Sequence, residues 1–139
     1  MSARTKARKR AVDALYAGEL RNSSALDLLS ATRELTSDRQ NQDEIFDYAS
    51  NLVEGVTKNI AEIDQAISGL AQNWSLDRMP ALDRAILRLG AYEIFFAADV
   101  PNEVAISESV ELAKELSTDD SPAFVNGVLA AIAATRKPI

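Results

Sequence analysis

Apolar residues recur at three- and four-residue intervals along nearly the whole chain, which predicts helices and no sheet. Ala7, Ala11, Ala14, Leu15 and Gly18 form one small-residue face, so a first helix is expected from about Ala3–Lys6 to Leu20. Asn22-Ser23-Ser24 breaks it, and Ser23 or Ser24 can cap the next helix. That second helix is short, carries Leu26, Leu29 and Thr32, and ends near Leu35. Residues 36–43 are uniformly polar and read as a surface loop. Ile45, Tyr48, Ala49, Leu52, Val53 and Val56 predict a third helix, and Asn59 a cap for a fourth bearing Ile60, Ile63, Ile67 and Leu70. Trp74, Leu76 and Met79 are expected to dock a connecting segment on the core, and Pro80 to open the helix after it.

The run Ala81 to Ala98 is apolar on more than one side, as a helix surrounded by neighbours must be. Its charges, Asp83, Arg84, Arg88 and Glu93, are expected at edges or against a partner. Asp99-Val100-Pro101-Asn102 ends it, and Ala105, Ile106, Ser109, Val110, Ala113 and Leu116 mark the next helix. Ser121-Pro122 supplies a cap followed by Pro at the first helical position, and Phe124, Val125, Val128, Leu129 and Ile132 carry the last helix. The prediction is an all-α protein of about seven helices, without repeats or low-complexity tracts.

Composition narrows the chemistry. His and Cys are both absent, which removes thiol nucleophiles, His-based triads, Cys/His zinc sites and disulfides. No phosphate-binding glycine loop, GxSxG or HExxH occurs. The acidic pairs Glu108/Glu111 and Glu111/Glu115 read as a solvated helix face. Carboxylate catalysis and Mg²⁺ binding stay open at this point, but the usual enzyme constellations are missing and no enzyme activity, cofactor or metal site is expected. No apolar run reaches the roughly 18 residues of a membrane span, and a cytoplasmic protein is expected.

The net charge of −6 conceals an asymmetry. Arg4, Lys6, Arg8, Lys9 and Arg10 crowd the first ten residues without an acid; the remaining 10 cations face 21 carboxylates, a balance of −11. Cations at a helix start oppose its dipole, a local cost that a bound anion would relieve. A polyanion-binding arm and a solvated helix end are both compatible with this pattern.

Three further positions stand out. Arg88 lies in the most apolar helix and needs a salt bridge (to Glu93 or a neighbouring acid), a route to solvent, or a ligand. Phe124, just beyond a polar loop, is either a core residue or a ring for stacking on an unpaired base. Gly127, inside a helix pattern next to Asn126, is expected to mark a close helix crossing.

Four ordered segments then resemble one family. They are Ala11-Val12-Asp13-Ala14-Leu15-Tyr16 after the basic run, and Asp83-Arg84-Ala85-Ile86-Leu87-Arg88-Leu89-Gly90-Ala91-Tyr92-Glu93. The other two are Val100 to Glu108 with Val110 to Lys114, and Phe124-Val125-Asn126-Gly127-Val128-Leu129. Together they resemble the NusB family of bacterial antitermination factors, specifically over the first twenty residues and 81–132.

The resemblance implies two small helical bundles sharing one core, with subdomains of about 1–75 and 76–139. It implies binding of single-stranded boxA RNA in ribosomal RNA leaders jointly with NusE, a small-subunit ribosomal protein. RNA polymerase, NusA and NusG are the further components it implies, and it leaves monomer and homodimer open. Carried over by position, Arg4, Lys6, Arg8, Lys9 and Arg10 would hold phosphates, and Arg88 and Phe124 would face RNA. Tyr16, Asp77, Asp83 and Asp120 match the partner-protein and RNA edge. Many relatives have a basic residue just before the Phe of FVNG where this chain has Pro122-Ala123, so one phosphate contact is expected to be missing. Two other readings remain: a helical protein-interaction module, and a NusB-like RNA-binding domain serving ribosomal RNA maturation.

Overall fold

A computed structural model describes residues 2–36, 42–71 and 74–135. Among these residues it contains seven helices and no strand: α1 (Ala3–Arg21), α2 (Ala25–Leu35), α3 (Gln42–Lys58), α4 (Ile60–Leu70), α5 (Ala81–Phe96), α6 (Asn102–Leu116) and α7 (Ser121–Thr135). Most of the polar loop expected over 36–43 lies outside the described residues, as do Arg136, Lys137 and Pro138. The chain divides into two compact units, Met1–Lys58 and Asn59–Ile139. This boundary precedes the expected one near residue 75 because α4 packs on α5 and α7.

In the first unit α1, α2 and α3 pack pairwise. The small-residue face of α1 is buried at Ala7, Ala11, Ala14 and Gly18, against a core that includes Phe46, Leu52, Val53 and Val56 of α3. Ser2 caps α1 by accepting from the Thr5 amide at 3.1 Å, and Ser24 caps α2 by accepting from the Asp27 amide at 3.2 Å. Between them Asn22 takes the left-handed conformation at φ 51°, and the Ser23 amide donates back to the Gly18 carbonyl at 2.9 Å. A Cβ on Gly18 would lie 3.0 Å from the Ser23 carbonyl and 3.2 Å from the Ala25 Cα, a close approach that a larger residue would meet only by moving that backbone a few tenths of an ångström.

In the second unit α5 packs on α4, α6 and α7, which explains its apolar perimeter. Two of its charges are not at edges: Asp83 and Glu93 are fully buried. The connecting segment before it is anchored by buried Met79, while Trp74 stays exposed. Arg84 Nη1 fixes that segment further by donating to the carbonyls of Leu76 at 2.7 Å and Met79 at 3.1 Å.

The expected close crossing at Gly127 is not found; Gly127 is exposed and a Cβ there would meet nothing within 4 Å. The tight approach is at Gly90, where a Cβ would lie 2.6 Å from Leu129 Cδ1 and 2.7 Å from Ser109 Oγ. Opposite outcomes follow for one substitution. Gly127→Ala raises stability by about 1 kcal/mol through helix propensity. Gly90→Ala lowers it, toward the lower end of the roughly 1–3 kcal/mol typical of overpacking, since only side-chain ends must move. Urea denaturation of both variants checks the signs; equal effects would contradict the packing.

Candidate nucleic-acid interface

The five N-terminal cations belong to α1 itself, a helix whose first turn contains no acid. Their surroundings differ sharply. Arg4 and Lys6 are exposed, and Lys9 and Arg10 are half-buried. Arg8 is only 3% exposed, so its guanidinium faces protein and not solvent. Two rings of α3 meet these cations. The Arg4 guanidinium lies 4.4 Å from the centroid of the Tyr48 ring and that of Arg8 5.8 Å, while Arg10 lies 5.4 Å from the Phe46 centroid. Such contacts contribute about 0.5–2 kcal/mol each and hold the cations against one helix face. Tyr48 and Phe46 were not legible as partners of the basic run, because they follow it by more than thirty residues. Tyr16 is half-buried further along α1.

Arg33 illustrates the paired alternative in the same unit. It donates to Asp43 and Asp47 at 2.9 Å each, and those hydrogen bonds push its pKa up.

In the second unit Arg88 is held by an acid, as one of its readings required, but the acid is Asp64 of α4 and not Glu93. Nε donates to Oδ1 at 2.8 Å and Nη2 to Oδ2 at 3.0 Å, a two-pronged pair with side chains 18% and 25% exposed. An incoming phosphate would have to compete with that carboxylate.

Asp83 sits in the first turn of α5, fully buried. Its Oδ1 accepts from Ser117 Oγ at 2.6 Å and its Oδ2 from Ser121 Oγ at 2.9 Å. Ser121 Oγ in turn accepts from the Thr118 amide at 3.3 Å. Ser121 therefore does not serve as a simple cap of α7; its hydroxyl ties the α6–α7 loop to α5. Asp83, with no surface, cannot itself touch a partner while this fold holds, but it positions the loop bearing Asp120. Asp120 and Asp77 are both exposed.

Phe124 follows that loop, its amide donating to the Asp120 carbonyl at 3.3 Å. It is half-buried and meets Trp74 edge to face, ring centroids 5.0 Å apart at 67°. Trp74 is 38% exposed, so the pair presents ring surface to solvent. Sequence reasoning assigned Trp74 to the core; its place one residue beyond a run of polar residues was the only hint otherwise. Among the described residues no carboxylate cluster that could hold a metal is present, and no helix is long and apolar enough to cross a membrane.

The described residues thus carry exposed cations on α1 and a ring pair formed by Trp74 and Phe124, the latter in the first turn of α7. Comparison with known proteins defines the class further. The NusB family model matches residues 5–134. The transcription antitermination protein NusB of Clavibacter michiganensis subsp. michiganensis is 52% identical over 136 residues, covering 98% of this chain and 99% of that protein. Among solved structures, T. maritima NusB superposes with a TM-score of 0.87 at 34% identity, covering 99% of this chain and 95% of that one. A crystal structure of antitermination factors NusB and NusE in complex with dsRNA gives 0.84 at 30% identity, covering 98% and 99%. The fold is thus that of antitermination factors. The chain belongs to the NusB family.

Proposed function

We propose that the protein is a cytoplasmic antitermination factor that binds boxA-type single-stranded RNA together with NusE. On this reading it promotes processive ribosomal RNA transcription in a complex with RNA polymerase, NusA and NusG, and acts by binding without catalysis. The observation that carries the proposal is the near-full-length match to relatives named for transcription antitermination. The related complex of NusB, NusE and RNA supports the two partners. That complex holds double-stranded RNA; the single strand is what the family resemblance implies, and the Trp74–Phe124 pair supports it as a place where an unstacked base can pack.

Charge divides the labour. Exposed Arg4 and Lys6 provide salt-dependent attraction for phosphates, and the acidic remainder of the chain speeds encounter with a basic ribosomal protein. Arg8 and Arg88 are assigned supporting parts, one beneath the α1 surface and the other in its pair with Asp64. The test is a fluorescence titration of boxA RNA, a scrambled strand and a duplex, with and without NusE, at two salt concentrations. Preferred binding of boxA in the presence of NusE is expected. Equal affinity for all three RNAs under every condition sinks the antitermination reading and leaves a protein-interaction module.

A further inference from the structure

The sharp reversal at Asn22 sets α2 beside α1, and between them lies a groove of about 350 Å³ in the first unit. Its floor is aliphatic, formed by Ala14 and Ala17 of α1 and Leu28, Leu29 and Leu35 of α2. The apolar stripe of α2 is only partly used by the fold. Leu29 is buried, whereas Leu35, two turns beyond Leu28 on the same side of the helix, is 88% exposed. Two arginines line the groove from α1, Arg10 and Arg21, with Asp13 the one acid among the lining residues. Eleven residues of helix separate the arginines by roughly 16 Å. Arg21 is exposed and makes no ion pair with any described residue. The groove is therefore locally cationic on a chain of net charge −6.

We propose that this groove is a docking site for an acidic protein segment that places aliphatic side chains on the Ala14–Leu28–Leu35 floor and carboxylates against Arg10 and Arg21. Opposite charge at the lip and an apolar floor recognise an amphipathic acidic helix, the mode in which a helix lays its apolar face in a groove. RNA fits less well, since the floor carries no ring for a base to stack on. A second copy also fits less well, because two-fold pairing through this face would bring the same arginines together. The inference does not rest on the RNA-binding reading, although Arg10 belongs to the basic run, and its test includes an RNA competitor that separates the two.

The full chain, labelled with ¹⁵N, is titrated with a synthetic helical peptide carrying two central leucines and glutamates about eleven residues apart. Saturable amide shifts confined to α1 and α2 around Ala17, Leu28 and Leu35 are expected. A peptide with lysines in place of the glutamates should bind at least tenfold more weakly. Arg21→Glu and Leu35→Asp should each weaken the acidic peptide at least tenfold; both side chains are exposed, so circular dichroism should be unchanged. Absent or scattered shifts, or equal binding of the lysine peptide, overturn the proposal. So does a single-stranded RNA that moves the same amides and displaces the peptide, or self-association that moves them with no peptide present.

Discussion

Asp83→Ala is expected to lower the unfolding free energy by about 2–4 kcal/mol, read as a lower urea midpoint. The carboxylate is fully buried and accepts from two hydroxyls, that of buried Ser121 and that of half-buried Ser117, and truncation leaves both without this acceptor. One compensation limits the loss: removing a buried charge also removes its desolvation cost. Ser121 can turn to Ser117, 3.0 Å away, which recovers part of one hydrogen bond. Asp83→Asn keeps one carbonyl acceptor but directs an amide donor at the other hydroxyl, so it should recover about half of the loss. The loop carrying Asp120 should become more mobile than the rest of the chain, seen as faster amide exchange at Thr118 to Phe124. Stability and exchange unchanged in Asp83→Ala would show that the network does not anchor the loop.

The same network marks where sequence reasoning ends. The apolar period predicts all seven helices. The Ala7–Gly18 face, the Ser24 cap and the Pro80 start each depend on residues within a few positions, whereas Asn59 precedes α4 without a side-chain cap hydrogen bond. The central packing of α5 followed from its apolar perimeter alone. What local pattern could not supply was partnership across the chain. Ser121-Pro122 has the form of a helix start, yet the hydroxyl bonds to Asp83, 38 positions earlier. Arg88 demanded a carboxylate, but Asp64, 24 positions earlier, was not distinguishable from other acids. Gly90 and Gly127 look alike in a helical pattern, and only their neighbours separate a crossing from an open surface. Among the basic residues, a count of five charges hid the burial of Arg8. The site was legible as a set of residue types and not as an arrangement.

That arrangement separates two contributions to RNA binding. Phe124→Ala should weaken boxA RNA, measured with NusE present, by about 1–3 kcal/mol, or roughly 5- to 150-fold, the range for loss of one base–aromatic stack. Because no charge changes, the dependence of log affinity on log salt should keep its slope. Arg4→Ala and Lys6→Ala should behave in the opposite way. Each exposed cation that leaves a phosphate flattens the slope by about 0.7 for a single strand, with little effect on the preference for boxA over a scrambled sequence. Arg8→Ala is a poor probe of either contribution: at 3% exposure its loss acts first on packing against Tyr48 and therefore on stability. Phe124 also rests on Trp74, so a packing effect must be separated from stacking. Trp74→Phe keeps a ring beside Phe124 and should retain most of the affinity, whereas Trp74→Ala should lower it while leaving the salt slope intact. A change of slope in Phe124→Ala, or an unchanged slope in the Arg4→Ala, Lys6→Ala double variant, would remove this division between cations that attract and rings that select.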